Sequence, residues 1–554
     1  MPPGWRRHLA TVAVAAGCLL RLYGVERPLD YRSLSLWHEA DYTEIARNFA
    51  REDLDISEPR IDWRGDSSGK VEMELPLLPW LAAVSRRMLG TDERVMRCLS
   101  LGASLAALLL FAGLARRLLP PSPAAFATAC YALSPLAVYL ATRMQPEASM
   151  SLLVLLAAGA LWRWYEEPTA GRLLLAAGAL CAAILVKEPA AFLGLTFAWL
   201  VWRRLGWRAL RDRRVYLAAA IALVPAAAWY GWAYRFWILD GNSLGLSNEA
   251  HLIGADVLVR RGLLGNAWVE AAEVFTPFGL VLAAAGFRLA RQRLEPAVAW
   301  YLSALLFYFI AGRTAGAGWA FYYHCLSIAP ACLLMGAGAW ALEERADRGE
   351  GAVGTRRAAA TASVATAADG RASRLGGWQR AKRASRLLPA AVLVSLAATS
   401  GWLLARREGT VEAAGTEVAE SRDRALCAAR FAGAIPPRER IAVGGLDGRD
   451  AGGHPVAFDD PTFFAFADRK GFVYERRQES LPTLEALRRR GARYWIVAEK
   501  DLHHPDLGRA AVDRAFRRLD TCPAGYALYD LGPRAPAAGR AAPPVTANGL
   551  RLGR

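Results

Sequence analysis

The chain has 554 residues, 54% of them hydrophobic, with 19 Trp, a mean hydropathy of +0.16 and a formal net charge of +17. Long Leu/Ala runs nearly free of charge exclude an ordinary soluble protein and point to a polytopic helical membrane protein. The positive charge gathers in the loops between those runs, with no aromatic-interleaved basic groove or zinc-ligand spacing, so nucleic acid is set aside as a partner.

In chain order, the apolar runs predict about eleven spans, at roughly 8–25, 95–118, 122–142, 147–165, 171–187, 189–204, 215–236, 273–291, 296–312, 321–342 and 387–405. The first, after Arg6 and Arg7, resembles an uncleaved signal anchor; Ala15-Ala16-Gly17-Cys18 loosely resembles a lipoprotein cleavage site, but an ordinary first helix fits better. With the N-terminus inside, the short inside loops carry Arg116 and Arg117, Arg163 and Arg172, the six arginines between Arg203 and Arg214, and Arg288, Arg291 and Arg293. That bias orients the chain. Segment 343–386, rich in Ala, Gly, Ser and Arg, reads as a disordered cytoplasmic linker before the last helix at 387–405.

An odd number of spans puts 406–531 outside as a small α/β domain, followed by a tail at 532–554 that reads as disordered. Its elements are a strand at Ile441-Ala442-Val443, a helix over 481–490 ending at Gly491, and a buried strand YWIVA at 494–498. Cys427 and Cys522 lie in this domain; they either pair, if it is extracytoplasmic, or stay reduced. The domain is expected to bind or orient an acceptor, with 463–475 as a contact or simply a turn between strands, and to carry no chemistry.

The ionisable residues collect in the outer loops. SLWHEADYTEIARNF at 35–49 predicts an interfacial helix capped by Ser35, with Glu39 and Asp41 in its first turns and an apolar stripe of Tyr42, Ile45, Ala46 and Phe49. Glu44 reads as part of its solvated face. His38, Glu39 and Asp41 packed beside Trp37 exceed what capping requires. Glu74 precedes an apolar, proline-bracketed helix that re-enters the membrane surface; it is either a solvated cap or a site residue. In the hairpin ATRMQPE, Pro146 sets Glu147 at a helix N-terminus, and Arg143 and Glu147 at i,i+4 form either a structural ion pair or part of a site. Lys187 in LVKEP runs against the charge bias, as a snorkelling lysine or an anion ligand. Tyr322, Tyr323 and His324 lie at the outer end of the tenth span, where an aromatic belt explains the tyrosines better than the histidine, and Arg97 starts the second span. Jointly these describe a cavity with carboxylates to deprotonate a hydroxyl, cations to hold a phosphate, and aromatic walls for a sugar and a lipid.

This order of short motifs resembles the GT-C-type integral-membrane glycosyltransferases, in the branch of the protein O-mannosyltransferases and aminoarabinose-to-lipid-A transferases. The shared layout is an acidic first outer loop, Glu-x-Pro-Leu at Glu74, Arg…Pro-Glu at 143–147, Leu-x-Lys-x-Pro at Lys187 and an aromatic-Tyr…Pro late span, over about residues 1–340. The resemblance implies a catalytic region at 1–342, a polyprenyl-phosphate-linked sugar donor, inversion and an extracytoplasmic site in a bacterial plasma membrane. Glu39 matches the Glu of an Asp-Glu pair whose Asp, commonly the base, is here His38, so Asp41 or Glu39 is expected as the base. Glu147 matches an acid of the second outer hairpin, and Lys187 and Arg143 match phosphate-holding positions. Leu75 stands where members often have Lys. Some members bind a divalent metal; nothing in this sequence fixes one. His38, Glu74, Arg97, Tyr322, Tyr323 and His324 are taken as substrate-binding, and the acceptor as protein, lipid or glycan. The rival function is a transporter or flippase of lipid-linked sugars, which places polar sites near the midplane at repeat-related broken helices; no such repeat is visible here.

Overall fold

The structure, a computed structural model, describes residues 5–29, 31, 36–247, 263–311, 321–360, 387–405, 416–445, 448–449, 459–503 and 507–532. Ser35, the linker from 361 to 386 and the tail from 533 lie outside the described residues. Helices come first: α1 Trp5–Leu22, α2 Leu36–Arg51, α3 Leu77–Leu89, α4 Arg94–Leu118, α5 Pro121–Ala132, α6 Pro135–Leu140, α7 Glu147–Glu166 and α8 Ala170–Val186. There follow α9 Leu193–Leu205, α10 Arg213–Asp240, α11 Leu263–Phe275, α12 Pro277–Arg293, α13 Glu295–Ile310, α14 Cys325–Ala360 and α15 Leu387–Ala405.

Each expected span falls on helix, with local departures. The run at 122–142 breaks into α5 and α6 where Pro135 removes a helical N–H donor. The run at 273–291 starts behind an unforeseen helix, α11; α11 and α12 bend by 94° at Thr276, whose φ is 61°. Helix α14 runs on to Ala360, so the first part of the expected linker is helical. Among the described residues five helices are long and apolar enough to cross a membrane, or six if the bent pair is one span; α1, α8 and α13 are shorter apolar helices. The molecule is a multi-pass membrane protein.

Burial separates centre from rim. In Phe321–Glu344, 83% of the apolar window is buried inside the protein, against 17% in Arg213–Asp240, so α14 is the axis and α10 is left to face lipid. Small residues permit the close crossings, because association in lipid relies on backbone approach. A Cβ on Gly286 would overlap the Leu334 carbonyl, and one on Gly338 the Leu282 carbonyl, fixing α12 against α14.

The C-terminal part opens with α16 Thr416–Phe431 and carries β1 Arg440–Gly444, α17 Thr462–Ala467, β2 Gly471–Tyr474, α18 Leu481–Arg489, β3 Ala492–Ala498, α19 Arg509–Ala515, β4 Arg517–Cys522 and β5 Tyr526–Asp530. The sheet order is β2-β1-β3-β5-β4, parallel through β2-β1-β3 and antiparallel beyond. Cys427 on α16 and Cys522 on β4 are joined by a disulfide, which decides between the two sequence alternatives.

This domain is welded to the loop between α2 and α3. At the free edge of β2 the loop adds a short pairing: Gly65 N–H donates to the Gly471 carbonyl (2.7 Å) and Gly471 N–H to the Asp62 carbonyl (2.9 Å). Ion pairs flank it, Arg51 with Asp468 at 2.7 Å and Arg490 with Asp66. Arg47 on α2 donates to the Ala465 carbonyl at 2.6 Å. The segment 463–475, expected as an acceptor contact or a turn, is therefore α17 and β2, and it supplies this seam.

Candidate active site

Helix α2 divides its polar residues among three faces, and the division follows from helical spacing. His38 and Tyr42, four apart, face the late bundle and the re-entrant segment. Glu39 and Thr43 face the hairpin after α6. Asp41, Glu44 and Asn48 face the loop at 60–63 and the C-terminal domain.

On the second face, Glu39 is fully buried between two arginines. Arg97 donates to both its oxygens (3.1 Å each), and Arg143 donates to Oε1 at 3.3 Å. The remaining Arg97 donors go to the carbonyls of Arg27, Pro28 and Thr142 at 2.7–3.0 Å, so all five of its N–H groups are used. Arg143 is also fully buried, donating to the Tyr139 carbonyl and lying 4.1 Å from the Tyr139 ring. These three residues form a structural clamp joining α2, α4 and the hairpin. Glu39, expected as base, and Arg97 and Arg143, expected as substrate or phosphate ligands, are thus brought together in one buried ion cluster. The expected Arg143–Glu147 pair is absent, because Arg143 turns to Glu39.

The third face carries a second correction. Asp41 is buried and accepts from Trp63 Nε1 at 3.3 Å. Burial, with Asp459 of the C-terminal domain next in weight, pushes its carboxyl well above the usual range. The C-terminal domain thus does contribute ionisable groups beside α2. Glu44, expected on a solvated face, is fully buried and accepts from the Asp62 N–H at 3.0 Å. Burial, and then Asp62, push it up; Asp62, itself buried and bonded to Asn48 Nδ2 at 2.9 Å, is pushed up to about 6.

The first face leads to a mixed cluster. Leu75 N–H donates to the Leu185 carbonyl (2.8 Å), which sets the re-entrant segment across the end of α8 and brings Glu74 to Lys187 at 3.0 Å. Helix α8 stops at Val186 two residues ahead of Glu188-Pro189, leaving Lys187 extended. Glu147, the first residue of α7 after Pro146, lies 3.7 Å from the same ammonium, and its Oε2 has no hydrogen-bond partner. The Tyr42 hydroxyl donates to Glu74 Oε1 at 2.5 Å, a role its place in the apolar stripe concealed. Glu74 and Glu147 thus set two carboxylates against the one ammonium of Lys187. Burial opposes the Glu74 charge, and Lys187 and Tyr42 outweigh it, leaving that carboxyl below its usual range. Glu74 is thus no solvated cap and Lys187 no snorkelling lysine.

Tyr322 closes the cluster. Its hydroxyl is 3.3 Å from His38 Nε2, with the rings edge-on, and it lies within electrostatic reach of Lys187 and Glu147. Tyr323 packs against Phe307 and Tyr322. His324 departs from expectation: it is buried in the bundle, stacked on Tyr308 at 4.4 Å and 3.9 Å from Glu270, which accepts from the Tyr308 hydroxyl at 2.6 Å. The Glu270 and Tyr308 pairing had no sequence signal, because the two residues lie on separate apolar helices. Among the described residues no group of three or more His, Cys, Asp or Glu side chains is gathered to hold a divalent metal.

Residues 74–232, which carry Glu74, Glu147 and Lys187, match the family model described as dolichyl-phosphate-mannose-protein mannosyltransferase. The fold is similar to ArnT from Cupriavidus metallidurans, both in its apo crystal structure (TM-score 0.58, 16% identity, 96% of this chain and 99% of that one) and in its crystal structure bound to undecaprenyl phosphate (0.57, 16%, 96% and 100%). No curated protein sequence matches the chain.

Proposed function

We propose that this protein transfers a sugar from a polyprenyl-phosphate donor to an acceptor hydroxyl of a protein, lipid or glycan, with inversion, on the extracytoplasmic face of a bacterial plasma membrane. The observation that carries the reading is the charged Lys187 held between Glu74 and Glu147 where three helices end. A phosphate leaving group gains negative charge as the glycosidic C–O bond breaks, and a preorganised ammonium in a partly dry site stabilises that charge. Lys187 is half-buried rather than sealed, which supports access of such a group to it. Undecaprenyl phosphate bound to ArnT, on the same fold, supports a lipid phosphate as the occupant. The Cys427–Cys522 disulfide supports an oxidising compartment for the C-terminal domain and, through the seam, for α2.

The test uses the full chain in lipid with polyprenyl-phosphate sugars extracted from its own host membranes. Lys187→Ala should weaken donor binding at least tenfold while the protein still melts cooperatively. Unaltered donor binding in a folded Lys187→Ala protein would overturn the assignment of this site to the donor phosphate.

A further inference from the structure

We propose that the end of the bundle away from Lys187 binds an anionic phospholipid, with its phosphate on Arg204 and Arg208 and an acyl chain in an apolar cleft between α7, α9 and α13. The path of the chain fixes which end this is. Helix α9 starts at Leu193, just after Lys187, and runs away from it to Leu205. Helix α10 then returns from Arg213 to Asp240, beyond which Leu244 N–H donates to the Glu72 carbonyl at 2.9 Å, beside Glu74. The corner at 203–214 therefore lies across the membrane from the lysine. It carries Arg203, Arg204, Arg208, Arg211, Arg213 and Arg214. Its one acid, Asp212, accepts from the Arg214 backbone N–H at 2.9 Å. Arg203 pairs with Glu295 at 3.0 Å, whereas Arg204 and Arg208 are exposed and form no ion pair among the described residues.

Helix α10 has 28 residues, about 42 Å at 1.5 Å per residue against a hydrocarbon core of about 30 Å, so its first turn stands among headgroups. Ahead of it the short 3-10 turn Gly206–Arg211 buries Ala209 and leaves Trp207 76% and Leu210 56% exposed, as in a segment lying at the headgroup boundary. The cleft meets the arginines through helical spacing. Leu193, Thr196 and Leu200 line it from α9, and Arg203 and Arg204 follow Leu200 by three and four positions on the same face. Pro296 and Trp300 line it from α13, next to Glu295. Trp162 lines it from α7 and stacks on Tyr165 at 5.4 Å, over whose ring the Arg204 guanidinium sits at 6.0 Å. Cations thus stand at one end of an apolar cleft. Trp300 points independently to a ligand: it is 3% exposed, yet its indole N–H has no hydrogen-bond partner. It lies five residues along α13 from Glu295, about 8 Å toward the membrane centre, on the side where a phospholipid carries its ester carbonyls. Guanidinium groups recognise phosphate through paired N–H donors, and a polybasic surface draws anionic lipid.

The experiment places the full chain in phosphatidylcholine vesicles with and without phosphatidylglycerol, then counts the lipids retained through detergent extraction by native mass spectrometry. Wild type should keep one phosphatidylglycerol per chain and melt at a higher temperature with it than in phosphatidylcholine alone. Arg204→Gln with Arg208→Gln should weaken that retention at least tenfold. Arg213→Gln with Arg214→Gln removes the same charge from α10, outside the cleft, and should leave retention unchanged. Leu200→Trp, which fills the cleft, should lose the lipid with every arginine in place; Trp300→Phe, which keeps an aromatic ring and removes only the N–H, gives the same reading if Leu200→Trp does not fold. Equal loss from the two arginine pairs, or phosphatidylcholine held as firmly as phosphatidylglycerol, overturns the site. So does inorganic phosphate that raises the melting temperature as much as phosphatidylglycerol, since a free anion is then sufficient. Displacement of the retained lipid by polyprenyl phosphate gives the cleft to the tail of that lipid and overturns the proposal as well.

Discussion

At the scale of single residues, the acids of α2 and of the loop that follows it divide among separate buried clusters. Sequence spacing alone could not separate them. Glu39 and Asp41 are two positions apart, about 200° around the helix, and one slots between Arg97 and Arg143 while the other meets Trp63. Glu39→Gln leaves two buried guanidinium groups with one carboxylate fewer, and breaking such a cluster costs about 3–5 kcal/mol. Thermal melting in detergent should therefore fall much further for Glu39→Gln than for Glu147→Gln, whose Oε2 makes no hydrogen bond to lose. Equal melting temperatures would remove the clamp. Glu74, Glu147 and Lys187 stood out in the sequence because a proline lies beside each, and Tyr322 because it belongs to an aromatic cluster. Tyr42 was not, since a tyrosine in an apolar stripe looks the same whether its hydroxyl reaches water or Glu74.

At the scale of elements, the seam between α2, the loop at 60–66 and β2 is held by strand pairing and by acids that sit together out of water. Asp62 is pushed up to about 6, from an unfolded value of about 3.9. The folded form then binds more protons between those two values, so its contribution to stability is fully present below about pH 3.9 and is lost as pH rises to about 6. Asp62→Asn keeps an acceptor for Asn48 and removes the charge. Unfolding of the C-terminal domain, followed by hydrogen exchange in β2, should occur less readily in Asp62→Asn than in wild type above pH 7, and the difference should shrink toward pH 4. A pH-independent difference would show that Asp62 does not titrate in this seam. The strands of this domain were readable from apolar runs and turn residues, as at Gly491 with φ 106°. Its contact with α2 was not, because Arg47 to Ala465 and Gly65 to Gly471 join residues some four hundred positions apart.

At the scale of the whole molecule, helix membership was legible from hydropathy, whereas the 94° bend at Thr276 was not. The rival role of moving lipid-linked sugars across the membrane would call for polar sites midway along helices. Lys187 lies at the C-terminal end of α8 and Glu147 at the start of α7, which suits transfer at one membrane face. Both belong to the stretch that matches the mannosyltransferase model, while His38 and the C-terminal domain lie outside it. The central claim is that a lipid-phosphate sugar is consumed here. It is tested most directly by comparing, by mass, the lipid-linked sugars of wild-type cells, cells lacking this protein, and deletion cells carrying Lys187→Ala. One polyprenyl-phosphate sugar should accumulate in the deletion and in the Lys187→Ala cells, with the same sugar missing from an envelope protein, lipid or glycan. Identical lipid-linked pools and identical envelope sugars in all three would contradict the account.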